Sequence, residues 1–219
     1  MSQDDEKRIA AEAAAELVES GMRLGLGTGS TVAHLLPAIA ARQLTEVVCV
    51  STSPATEQLA RDLGLATASF DDVTALDLAI DGADQVCSDW WLVKGGGAAQ
   101  TREKLVAAAA TRFVVIVDSS KTVEWLHAPI PLELFPFGLP STLQRIRAGI
   151  GDVELRDVAH SPDGGVIADF LGDIGDPAQL AARLSATPEW ERNASASRRS
   201  ASSTKACATP ASGTGGART

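Results

Sequence analysis

The 219-residue sequence has no apolar run near the roughly 18 residues that a membrane-spanning helix needs. Its charged opening, MSQDDEKRIA, lacks the apolar core of a signal peptide, so the expected location is the cytoplasm. Cysteine is scarce and odd in number. Cys49, Cys87 and Cys207 lie far apart, which argues against a disulfide framework, and no C-x-x-C pair points to zinc. The histidines, His34, His127 and His160, are scattered rather than grouped with carboxylates, so no metal site is expected. Positive charge is short as well. A net charge of −9 disfavours nucleic acid as a partner. Any anion site must then be built locally, from backbone N–H groups and a few cations.

What is present is a chain that is 45% apolar and long enough for one large domain or two small ones. Its pattern alternates. Residues 5–19 read as an amphipathic helix with Ser2 or Asp4 as cap, 22–26 as a short apolar run, and 30–42 as a helix. A strand at 46–51, a helix at 53–64, a strand at 76–81, a helix at 102–110 and a strand at 112–120 follow. Strand and helix in alternation imply an α/β, Rossmann-like parallel sheet flanked by helices, over residues 1–127. The proline-dense stretch 127–140 reads as a crossover into a small α+β, ferredoxin-like domain over 128–187. There the expectation is strand 132–136, helix 141–149, strands 153–158 and 165–170 joined by a hairpin turn at SPDGG, and helix 177–186.

Four glycine-rich or acidic segments follow the predicted strands. The first, GLGTGST, has glycines at 25, 27 and 29, but the next strand ends in VSTS with no acid for a ribose, and there is no G-x-x-x-x-G-K-[ST]. A dinucleotide and a nucleoside triphosphate are therefore both poor fits. The hydroxyls of Thr28, Ser30 and Thr31 at a helix start suit a phosphate or a sugar. Read alone, the loop is equally a plain turn with Ser30 as N-cap. The others are DGAD with Asp81 and Asp84, KGGG leading into TREK with Lys94 and Glu103, and DSSK with Asp118 and Lys121. Each alone is ordinary turn or first-turn chemistry. Together they sit at strand carboxyl ends, where open α/β sheets bind their ligands.

In order and spacing, GLGTGST, DGAD, KGGGAAxTREK and DSSK resemble the signature segments of ribose-5-phosphate isomerase, type A. The resemblance spans roughly residues 4–187 and is strongest in 21–126. The KGGG…TREK block is its specific part. Two positions depart from the family pattern: Gln85, where Glu is usual, and Gln100, where an apolar residue is usual.

The resemblance implies interconversion of ribose 5-phosphate and ribulose 5-phosphate in the non-oxidative pentose phosphate pathway, with no cofactor and with a homodimer or tetramer as the assembly. It also implies substrate contacts at Thr28, Gly29, Ser30, Thr31, Asp81, Gly82, Ala83, Asp84, Lys94, Gly95, Gly96, Gly97 and Lys121. The residue chemistry agrees. Moving a proton between C2 and C1 needs one carboxylate, for which Glu103 is the candidate. Lys94 with the N–H groups of residues 95–97 suits the enediolate oxygens. Asp81 suits ring opening, and Asp84 the orientation of hydroxyls. Lys7 is either a phosphate contact or a helix-surface charge. The rival is a sensor domain that binds a sugar phosphate without converting it, which would need no base at Glu103.

The end of the chain differs from the rest. Residues 1–187 carry 14 Lys and Arg against 26 Asp and Glu, whereas 188–219 carry five against two. From Glu191 onward there is no Leu, Ile, Val, Phe, Met or Trp. A disordered tail is expected there. The closing strands usual in the family would then be missing, as in an altered reading frame.

Overall fold

A computed structural model of the chain describes residues 1–187 and, beyond them, the backbone of 196–197 and 204–208. The elements are α1 (Gln3–Ala15), β1 (Arg23–Leu26), α2 (Ser30–Ala41), β2 (Val48–Ser51), α3 (Pro54–Asp62), β3 (Ala66–Thr67) and β4 (Leu76–Asp81). Next come β5 (Gln85–Cys87), β6 (Leu92–Val93), α4 (Gln100–Ala109), β7 (Ala110–Val117), β8 (Thr122–Val123) and β9 (Ile130–Leu134). The chain continues through α5 (Leu139–Gly149), β10 (Val153–Leu155), β11 (Val166–Phe170), α6 (Pro177–Ser185), β12 (Ala196–Ser197) and β13 (Thr204–Ala208).

The main sheet has the order β13-β7-β4-β1-β2-β3, and all its neighbours are parallel. The chain therefore runs outward from β1 in one direction and, after a crossover, from β4 in the other. A crevice must open between the carboxyl ends of β1 and β4, and that is where a ligand fits. The central strands are apolar on both faces because both are covered. Leu24, Leu26, Ile80 and Ile116 pack with the small residues Ala10, Ala11, Ala14 and Ala15 of α1 and with Leu35, Leu36 and Ile39 of α2. Ala79, Val115 and Val117 pack with Val106 and Ala107 of α4 on the other side. Each fully buried leucine here contributes roughly 2 kcal/mol through removal from water.

The second unit follows the β-α-β-β-α order of the ferredoxin-like plan, with an antiparallel sheet β10-β11-β9. Its core joins Ile130, Leu132, Leu134, Ile146, Phe170, Leu180 and Leu184, and draws in Cys87 and Val93 from before residue 127. The short strands β5, β6 and β8, which are not apparent in the sequence, form with β12 a further small sheet. Cys49 and Cys87 are buried and free.

Several boundaries differ from expectation. The first helix closes at Ala15 rather than 19, because the amides of Leu17 and Val18 reach back only three residues, to Ala14 and Ala15. Its cap is Ser2, in a capping box with Asp5. The strand expected over 112–120 stops at Val117, where Asp118 caps a tight turn over Ser119–Lys121. The strand expected at 132–136 lies at Ile130–Leu134. As an edge strand it tolerates Pro131, and it ends before Pro136. The strand expected at 153–158 stops at Leu155.

In the tail, the backbone is described at seven residues. Ala196–Ser197 pairs antiparallel with β6, and Thr204–Ala208 pairs in parallel with β7 from Phe113 to Val117. Ladder bonds are made by backbone groups, so the open edge of β7 can be completed without an apolar sequence. The other residues of 188–219, on which the expectation of disorder also falls, lie outside the described residues.

Candidate active site

The crevice at the ends of β1 and β4 is a cleft of about 160 Å³, lined by residues from all four signature segments. That volume is small beside the roughly 300–1,000 Å³ of pockets for drug-sized ligands. It suits a small phosphorylated sugar better than a dinucleotide.

One end of the cleft is built for an anion. The loop after β1 passes over β4 so closely that a Cβ on Gly27 would lie 1.8 Å from Asp81 Oδ1. Gly29 has φ +117°, open in practice to glycine alone, and it is the N-cap of α2 with no side-chain cap bond. Ser30 is thus not the N-cap, and the plain-turn alternative loses its cap. The start of α2 faces the cleft, where its dipole and unpaired N–H groups favour a phosphate. Thr28 is steadied by a 2.8 Å hydroxyl contact with Thr52, and Thr56 donates to the Gly27 carbonyl at 3.0 Å.

Two lysines complete this end. Lys7, from α1, reaches Ser30 Oγ at 3.0 Å and lines the cleft, so its reading as a mere helix-surface charge is set aside. Lys121 lies on the turn after β7. That turn is fixed by Asp118, which accepts from the Ser120 amide at 3.0 Å and from Gln3 Nε2 at 3.2 Å. Burial alone would push the Asp118 carboxyl up, but bonds from Ser120 and Gln3 outweigh it and hold the pKa down. Glu6 accepts from the Ser119 amide at 2.7 Å, which ties the Lys121 turn to the helix carrying Lys7.

The other end is a buried charge cluster. Lys94 Nζ lies 2.8 Å from Asp81 Oδ2 and 3.3 Å from Glu103 Oε2 and donates to the Gly82 carbonyl at 2.6 Å. The side chains of Asp81 and Glu103 are only 4% and 5% exposed, that of Lys94 14%. Asp81 also accepts from the amides of Gly82 at 2.7 Å and Thr28 at 3.2 Å. Two carboxylates thus share one ammonium, and Asp81 has the better set of donors. The Glu103 pKa rises, through burial first and the nearby Asp81 charge second, against the pull of Lys94. The two carboxylates hold the Lys94 pKa well above its ordinary value despite burial.

The expected residues gather in one place, with one refinement. Thr28, Gly29, Ser30, Thr31, Gly82, Ala83, Asp84, Lys94, Gly95, Gly96, Gly97, Glu103 and Lys121 all line the cleft, whereas Asp81 sits behind Lys94 rather than on the surface. Asp84 Oδ2 accepts from the Gly96 amide at 2.8 Å and so shapes the glycine loop. Gln100 is buried and donates to the Gly95 carbonyl at 3.2 Å from beneath. Gln85 has a structural explanation: its amide donates to the His127 carbonyl at 2.7 Å and accepts from the His127 amide at 2.9 Å. A carboxylate could only accept, so glutamine clips the crossover in a way glutamate could not. Among the described residues no group of three or more His, Cys, Asp or Glu side chains is arranged to hold a metal ion.

Arg156 and Glu133 escaped the sequence reading. Arg156, paired with Asp169, also donates to the Gly96 carbonyl at 3.3 Å. Glu133 accepts from Thr101 on α4. An acid between Leu132 and Leu134 in a buried strand was the available signal for Glu133. Arg156 had none.

Fold and site together define an α/β protein of the sugar-phosphate-binding kind, with a buried carboxylate on the wall of its cleft. The family model for ribose 5-phosphate isomerase A (phosphoriboisomerase A) matches residues 48–189. A ribose-5-phosphate isomerase A of Caulobacter sp. (strain K31) is 48% identical over 195 residues, covering 84% of this chain and 86% of the relative. One from Roseiflexus castenholzii is 45% identical over 194 residues, covering 83% of each. Among solved structures, ribose 5-phosphate isomerase A from Neisseria gonorrhoeae superposes with a TM-score of 0.83 at 33% identity, covering 88% of this chain and 87% of that one. A D-ribose-5-phosphate isomerase in complex with phospho-erythronic acid gives 0.83 at 32% identity, over 89% and 90%. The chain belongs to the ribose 5-phosphate isomerase A family.

Proposed function

We propose that the chain interconverts ribose 5-phosphate and ribulose 5-phosphate through an enediolate, with Glu103 as the base. The observation that carries this is the position of Glu103: buried, on the cleft wall, with its pKa raised to about 7. Such a carboxylate can take a proton near neutral pH and give it back. Glu103 removes the proton from C2 of the open aldose; the electron pair of the broken C–H bond forms the C1=C2 bond of the enediolate, and the π pair of the C1=O1 carbonyl moves onto O1. The same carboxyl group returns the proton to C1, while O1 gains a proton and O2 loses one.

The charge on the oxygens is met by Lys94 and by the glycine loop of residues 95–97. Lys94 is engaged with Asp81, Glu103 and the Gly82 carbonyl, so a substrate oxygen must displace one of these partners. Ring opening falls to the carboxylates at the end of β4 and just beyond it, with Asp84 facing the cleft and Asp81 reaching it through Lys94. The phosphate rests at the start of α2, between Lys7, Ser30, Thr31 and Lys121. The solved complex with phospho-erythronic acid, a phosphorylated sugar acid, supports this class of ligand.

The sensor reading is disfavoured by the buried Lys94–Glu103 pair, which binding alone does not require. Phosphorylated sugars do not cross membranes unaided, so the proposed place of action is the cytoplasm that holds them. The proposed assembly is a homodimer, whose interface could cover exposed aromatic side chains such as Phe137 and Trp125, 91% and 77% exposed. Purified protein should convert ribose 5-phosphate to ribulose 5-phosphate. Binding of the sugar phosphate without turnover would instead establish the sensor reading, and sedimentation measures the assembly.

A further inference from the structure

We propose that Glu133 of the small domain is a positioning residue for the base: its carboxylate holds the first turn of α4 and so fixes where Glu103 points. This rests on the assignment of Glu103 as the base. The starting observation is that α4 begins without a local cap. Its N-cap residue, Ala99, has no side-chain acceptor to offer. A helix start leaves several amides unpaired, and at the start of α4 Ala99, Gln100 and Glu103 are buried.

Glu133 supplies the missing acceptor from 32 residues away. Its Oε2 accepts from the Thr101 amide at 3.0 Å and from the Thr101 hydroxyl at 2.8 Å. A carboxylate at this place also opposes the positive end of the helix dipole. Glu103 stands two residues further on, and its own amide makes the first backbone bond inside the helix, to the Ala99 carbonyl at 2.9 Å. If the first turn frays, Glu103 moves with it.

The way Glu133 is accommodated argues that its place is not incidental. It is 1% exposed, in a strand whose neighbours Leu132 and Leu134 fill the small-domain core. Gly165 across the sheet makes room for it, since a Cβ there would lie 2.4 Å from Oε1 and 2.5 Å from Cγ. Its Oε1 has no hydrogen-bond partner among the described residues. Burying a carboxylate with one oxygen unsatisfied is unfavourable, and an apolar residue would serve the core better. Local rules are broken in this way chiefly where function requires it. The next residue is gripped by the same domain, because Arg102 pairs with Asp163 at 2.8 Å. Residues 101 and 102, immediately before the base, are thus both held by the small domain.

The test compares Glu133→Ala, Glu133→Gln and Thr101→Val with the parent in turnover of ribose 5-phosphate. A displacement of about 1 Å at a reacting group can cost around 10²-fold, so Glu133→Ala should lower kcat by roughly 10- to 100-fold with KM within about twofold. Glu133→Gln keeps an acceptor oxygen and should recover most of that loss. Thr101→Val keeps the amide bond and loses the hydroxyl one, so it should fall between them. Hydrogen exchange at the first-turn amides of α4 should quicken in Glu133→Ala ahead of the rest of the fold. A folded Glu133→Ala with parental kcat, or a Glu133→Gln as impaired as Glu133→Ala, overturns the proposal. Should Glu133→Ala fail to fold, an unchanged kcat in Thr101→Val overturns it equally. Glu103→Gln measured alongside separates the two readings: if that variant keeps its turnover, the base assignment fails, whatever Glu133 does.

Discussion

The two ends of the cleft handle charge in opposite ways. At the end where the phosphate is proposed to rest, Lys7 and Lys121 are half-buried and Ser30 is exposed, so the cations stay partly hydrated. At the proposed reacting end, Asp81 and Glu103 are almost wholly excluded from water, with Lys94 between them. Solvated charges attract at modest strength and are screened by salt. Buried charges act at short range in a poorly polarisable surrounding, where the protonation of one group alters its neighbours. One end is therefore suited to holding the substrate and the other to changing it.

The sharpest test of that division is at Glu103. Glu103→Gln keeps shape and burial but cannot take a proton. It should lower kcat by roughly 10²–10⁴, the usual span for a general base, with KM nearly unchanged. Near-parental turnover would remove Glu103 from the mechanism and with it the contrast between the two ends.

The buried cluster should also show itself in pH dependence. Glu103 must be ionised to act, so activity should rise with pH through an apparent value of about 7 and level off above it. That value belongs to the coupled cluster rather than to one residue. A substrate phosphate titrates near 6 as well, so movement between variants is the diagnostic. Lys94 lowers the Glu103 pKa and Asp81 raises it. The limb should therefore move up in Lys94→Met and down in Asp81→Asn. A limb that stays put in both would assign it to the substrate instead.

At the open end the expectation reverses. Lys121→Ala removes one hydrated cation from the phosphate site and should raise KM by roughly tenfold, with kcat changed little. The defect should shrink at high salt, where the parental lysine is itself screened. A loss of kcat at constant KM would show that the phosphate grip is used in the transition state, and the two ends would not be separable.

The same contrast decides what could be read in the sequence. The open end is made of short contiguous segments whose chemistry is local. Gly29 with Ser30 and Thr31 announce a helix start within three residues, although the capped turn at Asp118–Lys121 reads as the end of a strand. The apolar runs of β1, β2, β4 and β7 were equally plain, and β4 has the expected bounds of 76–81. What stayed hidden depends on partners distant in the chain. Glu133 meets Thr101 across 32 residues, and Arg156 meets Gly96 across 60. Gln85 is a departure from the family pattern until its partner at His127 is seen, 42 residues on. The strands at Ala196–Ser197 and Thr204–Ala208 have no residue pattern to announce them, for a related reason. They complete sheet edges through backbone bonds, for which residue pattern is a weak guide.

The smallest expected effect is on stability, and it isolates what it takes to keep the reacting end dry. Unfolded, Glu103 releases its proton near its ordinary value of 4.5; folded, it does so near 7. Between those values the folded chain holds more protons than the unfolded one, so this group makes stability fall as pH rises, with the cost fully present above about 7. Glu103→Gln carries no such charge. It should melt several degrees higher than the parent at pH 8, and the gap should close as pH falls toward 4.5. Comparing the two chains cancels the general effect of the −9 net charge, which both share apart from this single site. The counterweight is the loss of one partner for Lys94, which would act in the other direction at high pH. A gap that is absent, or constant across pH 5 to 8, would show that the Lys94 pair fully offsets the burial of Glu103. The reacting end would then carry its charges without strain, and its contrast with the phosphate end would be one of position alone.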